Sequence, residues 1–109
     1  MSKANKSSII LFLLLAWGCA GSLELNKQYY ANGQPKFEWH HRNGVREGVS
    51  KVYFSNGVLM GEANFKNGKL EGLNKKFYLN GTVKEEAYFK NGNLISKKRY
   101  DKNGTLLTK

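Results

Sequence analysis

A chain of 109 residues holds one domain at most, and one this short buries too little surface to build a large enclosed core. Lys and Arg number 18 against 8 Asp and Glu, a formal net charge of +10, which favours anionic surroundings. The single cysteine, Cys19, excludes an intramolecular disulfide, so the fold has to stand without one.

Taken in chain order, residues 1–18 have the layout of a signal peptide: Lys3 and Lys6 precede the apolar run Ile9 to Trp17, and small residues follow it. A membrane-spanning helix needs roughly 20 apolar residues, so this run is expected to be cleaved off and not kept as an anchor. Ala16-Trp17-Gly18-Cys19 resembles the lipobox of bacterial lipoproteins, in which the cysteine becomes the lipid-bearing first residue of the mature chain. The resemblance implies lipidation at Cys19. Ala16 and Gly18 also suit the ordinary signal peptidase, which cuts the same bond without adding lipid. The expected location is exported and membrane-anchored. The outer membrane or cell surface is favoured, because Ala20 stands where many inner-membrane lipoproteins carry Asp. Residues 19–26 read as a short polar tether.

From residue 27 to 109 one dipeptide recurs. Asn-Gly stands at Asn32, Asn43, Asn56, Asn67, Asn80, Asn91 and Asn103, with steps of 11, 13, 11, 13, 11 and 12 residues. This is a 24-residue repeat with two turns, one residue short at its end. Asn-Gly favours a two-residue type I′ turn, because both central positions need positive φ. The segments between are predicted antiparallel strands, giving an all-β, single-layer meander of tandem hairpins. The turns also fix which residues face each other. Lys27 falls opposite Glu38, Lys51 opposite Glu62 and Lys75 opposite Glu86; across the other turns, Trp39 falls opposite Gly48, Ala63 opposite Gly72 and Ala87 opposite Ser96. Period-two alternation puts Phe37, Trp39, Leu59, Phe65, Val83 and Phe89, among others, on one apolar face. The Lys/Glu pairs lie on the other, with Tyr29, Val49, Tyr53, Leu73 and Phe77.

Three stretches, Tyr53-Phe54-Ser55-Asn56-Gly57, Asn64-Phe65-Lys66-Asn67-Gly68-Lys69-Leu70-Glu71-Gly72 and Phe77-Tyr78-Leu79-Asn80-Gly81, resemble the bacterial MORN-repeat variant found in proteins labelled YwqK-family antitoxins. The resemblance implies a solenoid-like stack of hairpins, no cofactor, and a role in protein or membrane contact. The export signal conflicts with a cytoplasmic antitoxin.

Catalysis finds little support. His40 and His41 are neighbours on a strand and point to opposite faces, so they read as surface residues and not as a metal pair. Glu38, Glu62 and Glu86 each face a lysine, which is ordinary sheet stabilisation. No phosphate loop, catalytic triad or Cys/His cluster is present in the sequence. Arg42, Lys66 and Lys90 each precede an Asn-Gly and are expected to form a basic row along one edge. Nucleic acid is set aside for an exported chain, leaving an envelope protein or an anionic membrane or cell-wall surface as partner. Phe65, Phe89, Leu70 and Leu94, beside Arg42, Lys66 and Lys90, are the expected contact residues. An interaction module of the envelope is therefore the expected function, with a toxin-neutralising protein as the alternative.

Overall fold

A computed structural model describes residues 21–108. The signal segment and Cys19 lie outside the described residues. Ten strands follow one another: β1 (Glu24–Tyr29), β2 (Pro35–Arg42), β3 (Val45–Arg46), β4 (Gly48–Tyr53), β5 (Leu59–Lys66), β6 (Lys69–Leu70), β7 (Gly72–Phe77), β8 (Val83–Lys90), β9 (Asn93–Tyr100) and β10 (Leu106–Thr108). They form a single antiparallel sheet in the order β1-β2-β4-β5-β7-β8-β9-β10, with β3 beside β2 and β6 beside β5. No helix or second sheet lies among the described residues, and the molecule measures 51 × 36 × 14 Å, the thickness of one layer. β1 takes in Glu24, Leu25 and Asn26, which the sequence reading leaves in the tether.

Two kinds of turn alternate, where the repeated Asn-Gly suggests one. Asn43, Asn67 and Asn91 have φ of 52°, 51° and 50° and are followed by glycines with positive φ, the type I′ geometry. The other four Asn-Gly steps close three-residue loops: Gly33 N–H donates to the Tyr30 carbonyl at 2.9 Å and Tyr30 N–H to the Gln34 carbonyl at 2.8 Å, and the pattern repeats at Phe54, Tyr78 and Asp101. Only the glycine has positive φ there, as in a type I turn ending in a glycine bulge. The longer loop shifts the register by one, and an extra residue on the returning strand restores it: Lys36, Met60 and Lys84 are skipped in the pairing. The predicted Lys27–Glu38, Lys51–Glu62 and Lys75–Glu86 pairings therefore hold. The same skips set Leu59 opposite Tyr53 and Val83 opposite Phe77, on the charged face and not the apolar one.

The pairs predicted across the type I′ turns do not form. His41 faces Arg46 but Glu38 faces Lys51, so two residues are looped out between β3 and β4, and likewise between β6 and β7. Gly48, with φ +91°, and Gly72, with φ +92°, supply the backbone conformation that these bulges need. Gly48 then faces Phe65, and Gly72 faces Phe89, across the next strand pair. In the last repeat only Ile95 is extra, so Ala87 faces Lys97 and Tyr88 faces Ser96. The 13-residue spacings thus correspond to two-residue bulges and the 12-residue spacing to a one-residue bulge.

Every acidic partner in the predicted pairs has a second lysine on its other side. Lys27, Glu38, Lys51, Glu62, Lys75, Glu86 and Lys98 face one another in succession across seven strands, an alternating charge row running the length of the sheet. Lys27 and Glu38 close to 3.7 Å. Glu62→Lys places like charge next to both Lys51 and Lys75 and is expected to cost about 1 kcal/mol in urea unfolding. Lys51→Glu in the same chain is expected to restore only part of this, because Lys75 still faces position 62 and position 51 then faces Glu38. Full recovery would mean that position 62 meets lysine on one side only.

Contacts between successive repeats do the work of a core. Among the described residues only Ser50 and Ala87 are buried, at 5% and 4% exposure. Tyr30 donates its hydroxyl to the Tyr53 carbonyl at 2.6 Å and Tyr78 to the Tyr100 carbonyl at 2.8 Å, each reaching the next repeat. At the type I′ edge, Gly68 N–H reaches the Arg46 carbonyl and Gly92 N–H the Leu70 carbonyl, while Glu47 and Glu71 accept from the Asn67 and Asn91 amides. Tyr53 and Tyr100 donate to Glu38 and Glu86. Burial first and then the Glu38 charge raise the Tyr53 phenol above its ordinary pKa; for Tyr100 the hydrogen bond to Glu86 is the leading cause.

Candidate functional site

The face opposite the charge row carries a shallow trough of about 480 Å³. Its floor is made of small residues because four strands place them side by side: Ser50 faces Ala63, Asn74 faces Ala87, and Gly61 lies between Val52 and Lys76. A Cβ at Gly61 would stand 3.1 Å from the Lys75 carbonyl, so only glycine keeps that part of the floor low. Half-buried Phe37, Phe65, Leu70 and Phe89 and exposed Leu94 wall the trough. The register pairs Phe65 with Leu70 and Phe89 with Leu94. Four of the seven expected contact residues therefore meet in one place.

The two ends differ in chemistry. At the β2–β5 end Phe37 and Trp39 stack with centroids 4.7 Å apart, and the Arg46 guanidinium stands 5.4 Å from Phe37, 5.8 Å from Trp39 and 5.2 Å from Phe65. At the β7–β9 end Glu85 lies 3.7 Å from Lys76 and 3.9 Å from Lys97, so its charge is answered within the sheet. Ser50 Oγ, on the floor, has no hydrogen-bond partner among the described residues.

The expected basic row is placed at the type I′ edge, at the last positions of β2, β5 and β8. Its members differ in their surroundings. Arg42 Nε donates to the Gly21 carbonyl at 2.9 Å, Lys90 lies 3.8 Å from Glu71, and Lys66 faces Lys69. The histidines are half-buried and not at the surface as predicted: His40 Nδ1 is 3.0 Å from the Val49 carbonyl, and His41 sits between Asn26 and Glu24. Among the described residues no cluster of three metal-ligating side chains occurs.

Sequence reasoning missed Arg46 and Ser50. A signal exists for the first: positions 46, 70 and 94 hold Arg, Leu and Leu at the same place in the repeat, so Arg46 breaks an apolar row. Ser50 escapes notice because a lone serine within an alternating strand carries no sequence sign of its burial.

A single sheet of stacked hairpins with one sculpted face defines a tandem-repeat scaffold, a class built for contact along its length. The MORN repeat variant model matches residues 25–43, 46–67 and 70–91, more than half of the chain, and the chain belongs to that family. These three tandem repeats make it a repeat-based interaction module. No curated protein and no solved structure matches it.

Proposed function

We propose that the chain is a non-enzymatic lipoprotein of the cell envelope whose repeat domain binds a partner protein or an anionic envelope surface through the trough. The observation that carries this reading is the trough itself. Aromatic and aliphatic side chains stay half-exposed on one face of a one-layer sheet, with cations at its margins. Apolar patches rimmed by charge mark contact surfaces. Anchoring through Cys19 rests on the sequence of the leader, and the strand β1, starting at Glu24, leaves a tether of a few residues between lipid and sheet.

Cys19→Ala is expected to release the processed domain from the membrane fraction without unfolding it, since the fatty chains supply the affinity and the cysteine precedes the repeats. Fractionation with mass measurement of the N-terminus reads this directly. A processed variant that stays with the membrane rules out lipid as the anchor. An unprocessed wild-type chain in the cytoplasm would favour the toxin-neutralising alternative.

A further inference from the structure

We infer that the Arg46 end of the trough is an acid-receiving corner: it takes a carboxylate that a partner protein presents next to an apolar or aromatic side chain. This rests on the reading of the trough as the contact surface and names what enters it.

The placement follows from the register. Phe37 belongs to β2 and Phe65 to β5, and the strand between them is β4. Phe37 faces Val52 and Phe65 faces Gly48, so a guanidinium near both rings stands over the middle of β4, where Ser50 lies. Ser50 also lines the trough, is 5% exposed, and its hydroxyl has no partner among the described residues. A buried hydroxyl left unpaired is costly, so a carboxylate oxygen that enters by shifting the side chains over Ser50 gains a donor there.

Arg46 is itself without an acid. Among the described residues no carboxylate lies within 4 Å of its guanidinium, and the adjacent Glu47 accepts from the Asn67 amide instead. Three rings lie within 6 Å of the guanidinium, and a guanidinium held by ring contacts and not by an acid keeps its N–H fork for a two-point bond to a carboxylate. Glu85, the acid at the opposite end, already pairs with Lys76 and Lys97 within 4 Å. Both ends of the trough carry a surplus positive charge, because two lysines share Glu85, but only at the aromatic end does the cation have no carboxylate within 4 Å among the described residues.

The shape favours a side chain over a long acyl chain. The apolar floor is interrupted by Asn74 and then by Lys76, Glu85 and Lys97, so an alkyl chain laid along it would meet charged groups beyond β5. An apolar side chain beside a carboxylate needs only the β2–β5 end.

Phenylacetate is the probe, with phenylacetamide and inorganic phosphate as controls, titrated into the isotope-labelled chain and followed by NMR at the Arg46 Nε–H and Ser50 amide resonances. A ligand of this size is expected to bind with a dissociation constant on the order of millimolar. Phenylacetate should shift these resonances, with phenylacetamide at least tenfold weaker. Arg46→Leu should weaken phenylacetate at least tenfold and remain folded, because Leu70 and Leu94 occupy the same place in their repeats. Ser50→Ala should weaken it severalfold while raising the unfolding midpoint. Equal binding of phenylacetamide, an equal response to inorganic phosphate, shifts centred on Lys66 and Lys90, or indifference to Arg46→Leu would each overturn the assignment. If partner binding depends on Phe65 and Phe89 while phenylacetate fails, the acid-receiving corner falls and the trough stands as the contact surface.

Discussion

Phe65→Ser combined with Phe89→Ser is expected to weaken binding of the unlipidated domain to isolated envelope membranes roughly tenfold or more at physiological salt, with the sheet still folded. Both rings are half-buried, and each faces a glycine across one strand pair and a leucine across the other, so neither is enclosed. Removing them strips apolar area from the contact face and leaves the backbone pairing and the hydrogen bonds between repeats in place. Lys66→Ala with Lys90→Ala is expected to have the smaller effect at physiological salt and the larger one at low salt, where charge is less screened. Co-sedimentation at two salt concentrations, with circular dichroism of each variant, separates the two. Unfolding of the phenylalanine pair would show that the rings hold the sheet together and are not the contact surface.

The second large effect concerns the fold. Gly72→Val is expected to cost about 2 kcal/mol, read as a lower urea midpoint, because its φ of +92° is strained for any side chain and most for a β-branched one. The loss is conformational and not steric, since a Cβ at Gly72 would meet nothing within 4 Å. Ser96 is the internal control. It follows the shorter one-residue bulge of the last repeat, where no glycine is needed, and Ser96→Val is expected to change stability by a few tenths of a kcal/mol. Similar losses at the two positions would show that the bulges do not depend on positive φ.

Turn chemistry made the meander legible, since Asn-Gly repeats at hairpin spacing leave few alternatives. The Lys/Glu pairings were legible for a less direct reason: at Asn32, Asn56 and Asn80 the loop is one residue longer than a type I′ turn, and the skipped Lys36, Met60 or Lys84 cancels the shift. Where no cancellation occurs, at Gly48 and Gly72, the predicted partners of Trp39 and Ala63 were wrong. A bulge is a local backbone event that alternation alone does not record. The charge row was half visible, because a turn reports one neighbour of a strand while a sheet gives each strand two. The trough walls were legible in Phe65, Leu70, Phe89 and Leu94. Arg46 was not, because its role comes from rings on β2 and β5 that only the folded sheet gathers around it.

Side-chain footprinting of the domain, free and bound to envelope membranes, tests the central claim most directly, by comparing labelling of the two faces. Phe65, Phe89 and Leu94 are expected to become protected on binding. Leu73 and Tyr88, exposed beside the charge row on the opposite face, are expected to label equally in both states. Protection of Leu73 and Tyr88 with Phe65 and Phe89 unchanged would place the contact on the charged face and contradict the account.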